Sequence, residues 1–321
     1  MSAVDRRGFL ATALGLSLTG VLAGCAADDP VAARKPRKPR EGGIGGTGII
    51  GVVTAFGSII INGQRVLLDE ATVITDAFGA RDEAALALGQ SLTLEAVTVD
   101  GALIARRVHI THPLIGRVEA IASDGLGLQV LGVTVRLEPG VVPPAVIGQR
   151  VAVSGLWQGN VVVASRIDTV DDAGEDAVSG TLMPGAVVQA VRLDAGGTVL
   201  PEAGVFVTAT GQFADGRLSP SSLTSGRFTG AAGPLEQLSV EGYLEPSSKA
   251  PGFALSGLGH SFDPDARLEP FAEGRALFEG PYTGDFAVDL ALALPEGVAA
   301  RRAALPAGLD LGTAAAARST R

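Results

Sequence analysis

Cysteine, histidine and aromatic residues are all scarce in this 321-residue chain. A single cysteine excludes an internal disulfide, and three histidines provide few ligands for a zinc site. Aromatic residues make up only 4% of the chain, which leaves little surface for stacking on bases or sugars. The formal net charge is -9, and an acidic chain repels phosphate backbones. We therefore expect no nucleic-acid partner.

The few motifs that suggest a bound cofactor lie in the wrong context. Residues 43–48 fit the pattern G-x-G-x-x-G, but they follow a basic segment and precede a predicted strand rather than a helix. His109 and His112 are three apart in a predicted strand, where such positions face opposite sides. The acidic stretch from Asp168 to Asp176 could hold calcium but lacks the ordered EF-hand spacing. We predict no cofactor and no metal site.

One local cluster suggests catalysis. Ser256 and His260 lie within a glycine-rich segment, and Asp263 follows shortly after it. The segment lacks the strand-turn-helix context of a nucleophile elbow, and its glycines are already needed for a predicted turn. A hydrolase that acts on envelope polymers is therefore kept as the alternative to a protein without enzymatic activity.

The first 25 residues carry the clearest signal for where the protein is located. Arg6 and Arg7 precede an apolar run that is too short to cross a bilayer, as in a signal peptide. Leu22, Ala23 and Gly24 lead into Cys25 and resemble a bacterial lipobox, which implies cleavage before Cys25, lipidation of its thiol and a palmitate-type acyl chain on its amine. An ordinary secretory signal with an unmodified cysteine is the alternative.

Arg6 and Arg7 also resemble a twin-arginine export signal, although the usual Ser or Thr before them is missing. The alternative is the general secretory route. Residues 25–43 are rich in proline and basic side chains, so they are expected to form a tether that can touch anionic headgroups. These features predict a protein anchored to the membrane by lipid, facing the periplasm of the bacterial cell envelope.

Glycine is plentiful, with 44 residues, and four glycines reveal an internal repeat. The repeated positions lie 62 to 65 residues apart and open similar apolar segments: Gly51, Gly116, Gly180 and Gly242. Asn62-Gly63 then predicts a hairpin, with Gly132, Gly196 and Gly257 at similar places in the later units. Gly89-Gln90 marks the next strand and recurs as Gly148-Gln149, with weaker counterparts at Gly204 and Gly274.

Each unit offers about five short strands, with a helical turn predicted over residues 81–88 of the first. This pattern predicts an all-β chain of about four tandem, small, five-stranded barrels of the OB type, because closure removes exposed strand edges. A row of open β-sandwich units is the alternative.

The glycine-rich opening Gly42–Gly51, the segment Phe56–Gly63, Leu88-Gly89-Gln90 and Ala105–Val108 together resemble the bacterial family called domain of unknown function 5666. The resemblance covers units one and two, roughly residues 44 to 170. It implies an exported β-barrel module and carries over no activity or catalytic residue. Units three and four depart from the pattern.

The predicted organisation has seven parts: a signal peptide (1–24), an anchor and basic linker (25–43), four barrel units (44–112, 113–172, 173–233 and 234–295) and a C-terminal tail (296–321). Trp157, the only tryptophan, is the candidate for contact with a ligand or partner. We expect a binding or scaffold lipoprotein whose partner is an envelope protein or a glycan. A purely structural spacer is a third hypothesis.

Overall fold

The structure, a computed structural model, describes residues 45–142, 146–259 and 262–307. Unit one contains β1 (Gly46–Ala55), β2 (Ile59–Ile61), β3 (Gln64–Leu67), β4 (Val73–Asp76), β5 (Gly79–Arg81), a 3-10 helix (Glu83–Ala85), β6 (Ser91–Val99) and β7 (Ala102–Ile110). Five strands close a ring in the order β1-β2-β3-β7-β6, and β6 pairs back with β1. The β3–β7 pairing is parallel and the others are antiparallel, which is the connectivity of an OB-type barrel.

Units two and three repeat this ring. Unit two contains β8 (Leu114–Ile121), β9 (Gly127–Val130), β10 (Val133–Leu137), β11 (Arg150–Gln158) and β12 (Val161–Thr169). Unit three contains β13 (Asp176–Met183), β14 (Val187–Val188), β15 (Val191–Leu193), β16 (Phe206–Ala214) and β17 (Arg217–Ser225). In each, the third and fifth strands pair in parallel, and the fourth pairs back with the first. The prediction of small five-stranded barrels is confirmed.

Unit four is a looser version of the same plan. It contains β18 (Leu235–Gly242), β19 (Leu244–Pro246), β20 (Phe253–Leu255), a 3-10 helix (Glu269–Phe271), β21 (Ala276–Pro281) and β22 (Leu290–Ala293). Four of the five ring pairings are present, the parallel one as a single bridge between Phe262 and Phe286. The described residues show no pairing between β20 and the segment at Phe262. Aromatic rings of Phe262, Phe278 and Phe286 pack together instead.

The four units associate in two pairs, the first unit with the last and the two middle units with each other. β1 pairs in parallel with β18, so units one and four share one sheet. β8 pairs with β13, so units two and three share another sheet and one continuous apolar core. A short helix, α1 (Val298–Ala304), follows unit four and contacts β1. No helix within the described ranges is both long enough and apolar enough to span a membrane.

The repeated glycine of the first strand has a steric cause. A side chain at Gly51 would lie 2.2 Å from the amide oxygen of Asn62, and one at Gly116 would lie 2.5 Å from a methyl group of Leu131. Asn62 and Leu131 are buried first residues of the turns between the second and third strands, and both have positive φ, 53° and 51°. The turn residue thus folds over the strand-one glycine, which couples two sequence markers 11 to 15 residues apart.

One hairpin prediction was wrong. In unit three the corresponding turn is Gln189-Ala190, between β14 and β15, and Gly196 follows β15 instead. Gln189 has a φ of 52° and is buried like its counterparts, and its Cβ lies 3.2 Å from the place that a side chain at Gly180 would take. The turn was missed because its sequence holds no glycine, although the geometry is preserved.

The second sequence marker has a backbone role. Gly89, Gly148 and Gly204 have φ values of 85°, 87° and 97°. Each donates its N–H to a carbonyl of the first strand, at Val53, Val118 and Leu182 respectively. The residue that accepts then donates back to the residue after the glycine. The positive φ that glycine allows therefore marks the point where the fourth strand joins the first and closes the ring.

Candidate functional site

The most elaborate polar site is a buried charge cluster formed by Glu138, Glu241, Arg275 and Arg301. All four residues are between 1% and 2% exposed. Arg301 donates two hydrogen bonds of 2.9 Å to the two carboxylate oxygens of Glu138, and its Nε lies 3.0 Å from Glu241. Arg275 donates to Glu241 at 2.8 Å and also to Glu138. Two cations and two anions therefore balance inside the protein.

The buried charge cluster joins parts of the chain that are far apart in sequence. Glu138 follows β10 of unit two, Glu241 lies in β18, Arg275 precedes β21, and Arg301 lies on α1. Glu241 also accepts a hydrogen bond of 2.8 Å from the backbone N–H of Val52 in β1. The cluster therefore binds units one, two and four and the C-terminal helix together.

Two further side chains extend the cluster. The hydroxyl of Tyr243 accepts a hydrogen bond from Arg275 at 3.1 Å and donates one to Glu296 at 2.6 Å. Burial raises the pKa of Tyr243, so the hydroxyl keeps its proton for Glu296. Burial also raises the pKa of Glu138, whereas Arg301 and Arg275 outweigh the burial of Glu241 and lower its pKa. Glu138 is therefore the member of the cluster that takes up a proton first as the pH falls.

The hairpin turns make a second set of contacts between units. Asn62 donates to the backbone carbonyl of Ser239 at 3.2 Å and thereby links unit one to unit four. Gln189 of unit three donates to the carbonyl of Gly159 at 2.9 Å and to the carboxylate of Glu245 at 3.0 Å. In units one and three the turn residue of the hairpin thus also connects two units, a role that a local sequence pattern does not reveal.

Trp157, the predicted ligand contact, is 2% exposed. Its indole N–H donates to the carbonyl of Ser179 in unit three at 2.8 Å. A side chain at Gly257 of unit four would lie 2.2 Å from the indole ring, so the two are closely packed. The structure places Trp157 at the meeting of three units, with little of its side chain open to solvent.

The residues predicted for export and anchoring lie outside the described ranges. These are Arg6, Arg7, Leu22, Ala23, Gly24 and Cys25. His260 of the proposed catalytic cluster also lies outside them. Ser256 is 1% exposed and its hydroxyl oxygen accepts a hydrogen bond of 2.9 Å from the N–H of Gly159, an arrangement suited to joining units rather than to attacking a substrate.

Arginines neutralise the acidic stretch between units two and three. Arg117 pairs with Asp172 at 2.9 Å, Arg166 pairs with Asp168, and the buried Arg150 lies 3.6 Å from Asp176. Arg150 also donates to the backbone carbonyl of Asp171 at 2.7 Å. Within the described ranges, no group of three or more His, Cys, Asp or Glu side chains could hold a metal ion. The carboxylates thus connect β11 and β12 to the link between the two units.

The two histidines of unit one are held neutral. Burial, together with Arg107 and Arg227, lowers the pKa of His109 to about 3, and its Nδ1 lies 2.9 Å from the hydroxyl of Thr75. Burial lowers the pKa of His112 to about 4. Because the charged form of each ring would lack the hydration that stabilises it in water, neither ring takes a proton near neutral pH.

Two segments of the chain, residues 47–109 and 115–168, match the family described as Domain of unknown function (DUF5666). Units one and two are DUF5666 domains. The matched segments span each ring from the start of its first strand to the end of its last. Unit three has the same strand pairings as units one and two but lies outside the matched residues. No curated protein and no solved structure matches the chain.

One exposed feature was not predicted from the sequence. The loop between β10 and β11 carries three aliphatic residues that are 80%, 59% and 60% exposed: Val142, Val146 and Ile147. The base of this loop is fixed, because Gly148 donates to the carbonyl of Val118 at 2.8 Å and Arg117 donates to the carbonyl of Gly148 at 2.8 Å. Exposed aliphatic side chains beside a fixed backbone, as at Val142, Val146 and Ile147, are suited to a contact surface.

Proposed function

We propose that the protein is a non-enzymatic scaffold lipoprotein of the bacterial cell envelope. Arg6 and Arg7 begin its export signal, here of the twin-arginine type, and Cys25 carries the lipid that holds it at the periplasmic side of a membrane. The basic linker up to residue 43 spaces the two DUF5666 domains and the two further units from the headgroups.

The observation that carries the scaffold proposal is the buried charge cluster. A buried ionic network that joins units one, two and four has one geometry in which every charge is satisfied, so it opposes hinge motion between the units. The shared sheets add the pairings of unit one with unit four and of unit two with unit three. Such a body presents its loops at constant distances, which suits a scaffold.

The apolar loop of unit two supports a protein partner. Its exposed side chains are aliphatic, and aliphatic groups gain free energy mainly by leaving water. A glycan is more often bound by aromatic stacking, which Val142, Val146 and Ile147 cannot provide. Of the two partner classes considered from the sequence, these side chains support the proposal of an envelope protein rather than a glycan.

Replacing Cys25 with alanine should abolish lipid attachment, because no other thiol is available in the chain. In cells fed a palmitate analogue, we expect the labelled wild-type protein to fractionate with membranes and the variant to lose the label at least tenfold. The matched control is Ala32→Ser in the linker, which should behave as wild type. A Cys25→Ala protein that still carries the label would contradict the anchor.

The apolar loop can be tested with a photo-crosslinking amino acid placed at Ile147 in living cells. We expect crosslinks to a discrete envelope protein from this position. The matched control is Val199, which is 90% exposed but lies in unit three. Identical products from both positions, or none from position 147, would count against a partner at this loop.

A further inference from the structure

Arg227, in the segment that leads from unit three to unit four, is a buried cation without an acidic partner in the described part of the chain. The residue is 8% exposed, and its guanidinium donates to the hydroxyl of Thr93 at 2.9 Å and to the carbonyl of Gly257 at 3.5 Å. Its carbon Cζ lies 3.8 Å from the centre of the Phe206 ring. All of these partners are neutral, and the Nε–H has none among the described residues.

The acid on the neighbouring strand is already engaged. Glu95 is fully buried and accepts hydrogen bonds of 2.7 Å from the N–H and hydroxyl of Thr229 and from the N–H of Ala231. Arg107 lies 3.6 Å from the same carboxylate. Since His109 is neutral, two arginines and one glutamate leave this interior with one uncompensated positive charge.

Arg227 lines a small cavity between the units. The cavity measures about 20 Å³, and its mostly apolar lining includes the polar residues Ser91 and Thr111 of unit one and Ser179 of unit three, with Trp157 beside them. A cavity needs roughly 10–15 Å³ to hold one water molecule, so this one has room for a single particle of that size or a little larger.

A buried cation without a counter-ion is costly, because hydrogen bonds to neutral groups replace only part of its hydration. Burial lowers the pKa of Arg227 to about 9, which still leaves the group charged at neutral pH. The least costly remedy within the cavity is an anion small enough to enter it.

We propose that the cavity binds one halide-sized anion, such as chloride, as the counter-ion of Arg227. Arg227, whose Nε–H has no partner among the described residues, lines a cavity to which all four units contribute, so the ion would bind only when the units are assembled. Chloride in solution would then stabilise the assembled protein by mass action. This inference does not depend on lipid anchoring or on a partner protein.

The test compares thermal unfolding of the full-length protein in chloride and in gluconate, at equal ionic strength and neutral pH. We expect chloride to raise the melting temperature by about 3 °C with saturation, since a bound ligand stabilises only the native state. Arg227→Met should lose this dependence, and Arg217→Met, which removes an exposed arginine, should keep it. A chloride response shared equally by both variants would overturn the proposal.

A second measurement does not depend on whether Arg227→Met folds. Crystals of the wild-type protein grown in bromide should show an anomalous peak within hydrogen-bond distance of the Nε atom of Arg227. A cavity without such a peak would show that water, rather than an anion, occupies the site, and would overturn the proposal.

Discussion

Replacing Arg301 with alanine should lower the free energy of unfolding by about 3–5 kcal/mol, because it leaves a buried carboxylate without its main partner. Arg301 supplies both of the 2.9 Å hydrogen bonds that reach the two oxygens of Glu138. Neither oxygen can turn to water, since Glu138 is 2% exposed. Urea unfolding followed by circular dichroism would measure the loss.

The control for this prediction lies one residue away. Arg302 is exposed on the same helix, and its replacement by alanine should change the free energy of unfolding by less than about 0.5 kcal/mol. Because both variants remove one arginine from α1, their comparison separates the buried charge cluster from helix propensity and net charge. Equal effects of the two substitutions would mean that the cluster does not hold the units together.

A double variant sharpens this comparison. Glu138→Leu together with Arg301→Leu removes one charge of each sign and leaves Arg275 paired with Glu241. The double variant should be more stable than the sum of the two single losses predicts, because it removes both charges of the pair, whereas each single variant leaves one buried charge without its partner. The difference between the loss of the double variant and the sum of the two single losses measures the interaction of Glu138 with Arg301.

Replacing Trp157 with alanine should cost about 3–5 kcal/mol of unfolding free energy, the usual loss for a buried aromatic residue. The indole ring packs against Gly257, and its N–H satisfies the carbonyl of Ser179. Removing the ring therefore leaves a cavity where units two, three and four meet. Circular dichroism is the suitable probe, because Trp157 is the only tryptophan and its fluorescence vanishes with it.

A graded series distinguishes the two contributions of Trp157. Phenylalanine keeps most of the apolar contact but leaves the carbonyl of Ser179 unsatisfied, so its cost should be about 1–2 kcal/mol. Val199→Ala, at a position 90% exposed, should be close to neutral. A Trp157→Ala protein that loses less than about 1 kcal/mol would show that this contact does not contribute to assembly.

Much of each ring could be predicted from the sequence, because the signals that close it are local. Asn62-Gly63 and Asp100-Gly101 adopt the positive φ angles that their hairpin turns need, and Gly89 adopts the one that joins the fourth strand to the first. The turn at Gln189 was not predicted from the sequence, because its backbone geometry is held by the burial of Gln189 and not by a turn-forming residue type.

The candidate site was far less predictable. Arg275 and Glu138 are 137 positions apart, and Arg301 and Glu138 are 163 apart. Charged residues are usually solvated, so a single sequence gives no reason to place these inside the protein. The same holds for Trp157, whose position beside a predicted turn suggested a more accessible role.

The sequence by itself determined the repeat, the hairpin turns that carry glycine and the small five-stranded barrels, since these depend on backbone angles and alternating apolar residues within about 60 positions. Only the tertiary structure decided which units pair, which charges are buried and which loop is left exposed. Those outcomes depend on side chains from distant units meeting in space, and a pattern read along one chain does not contain such distances.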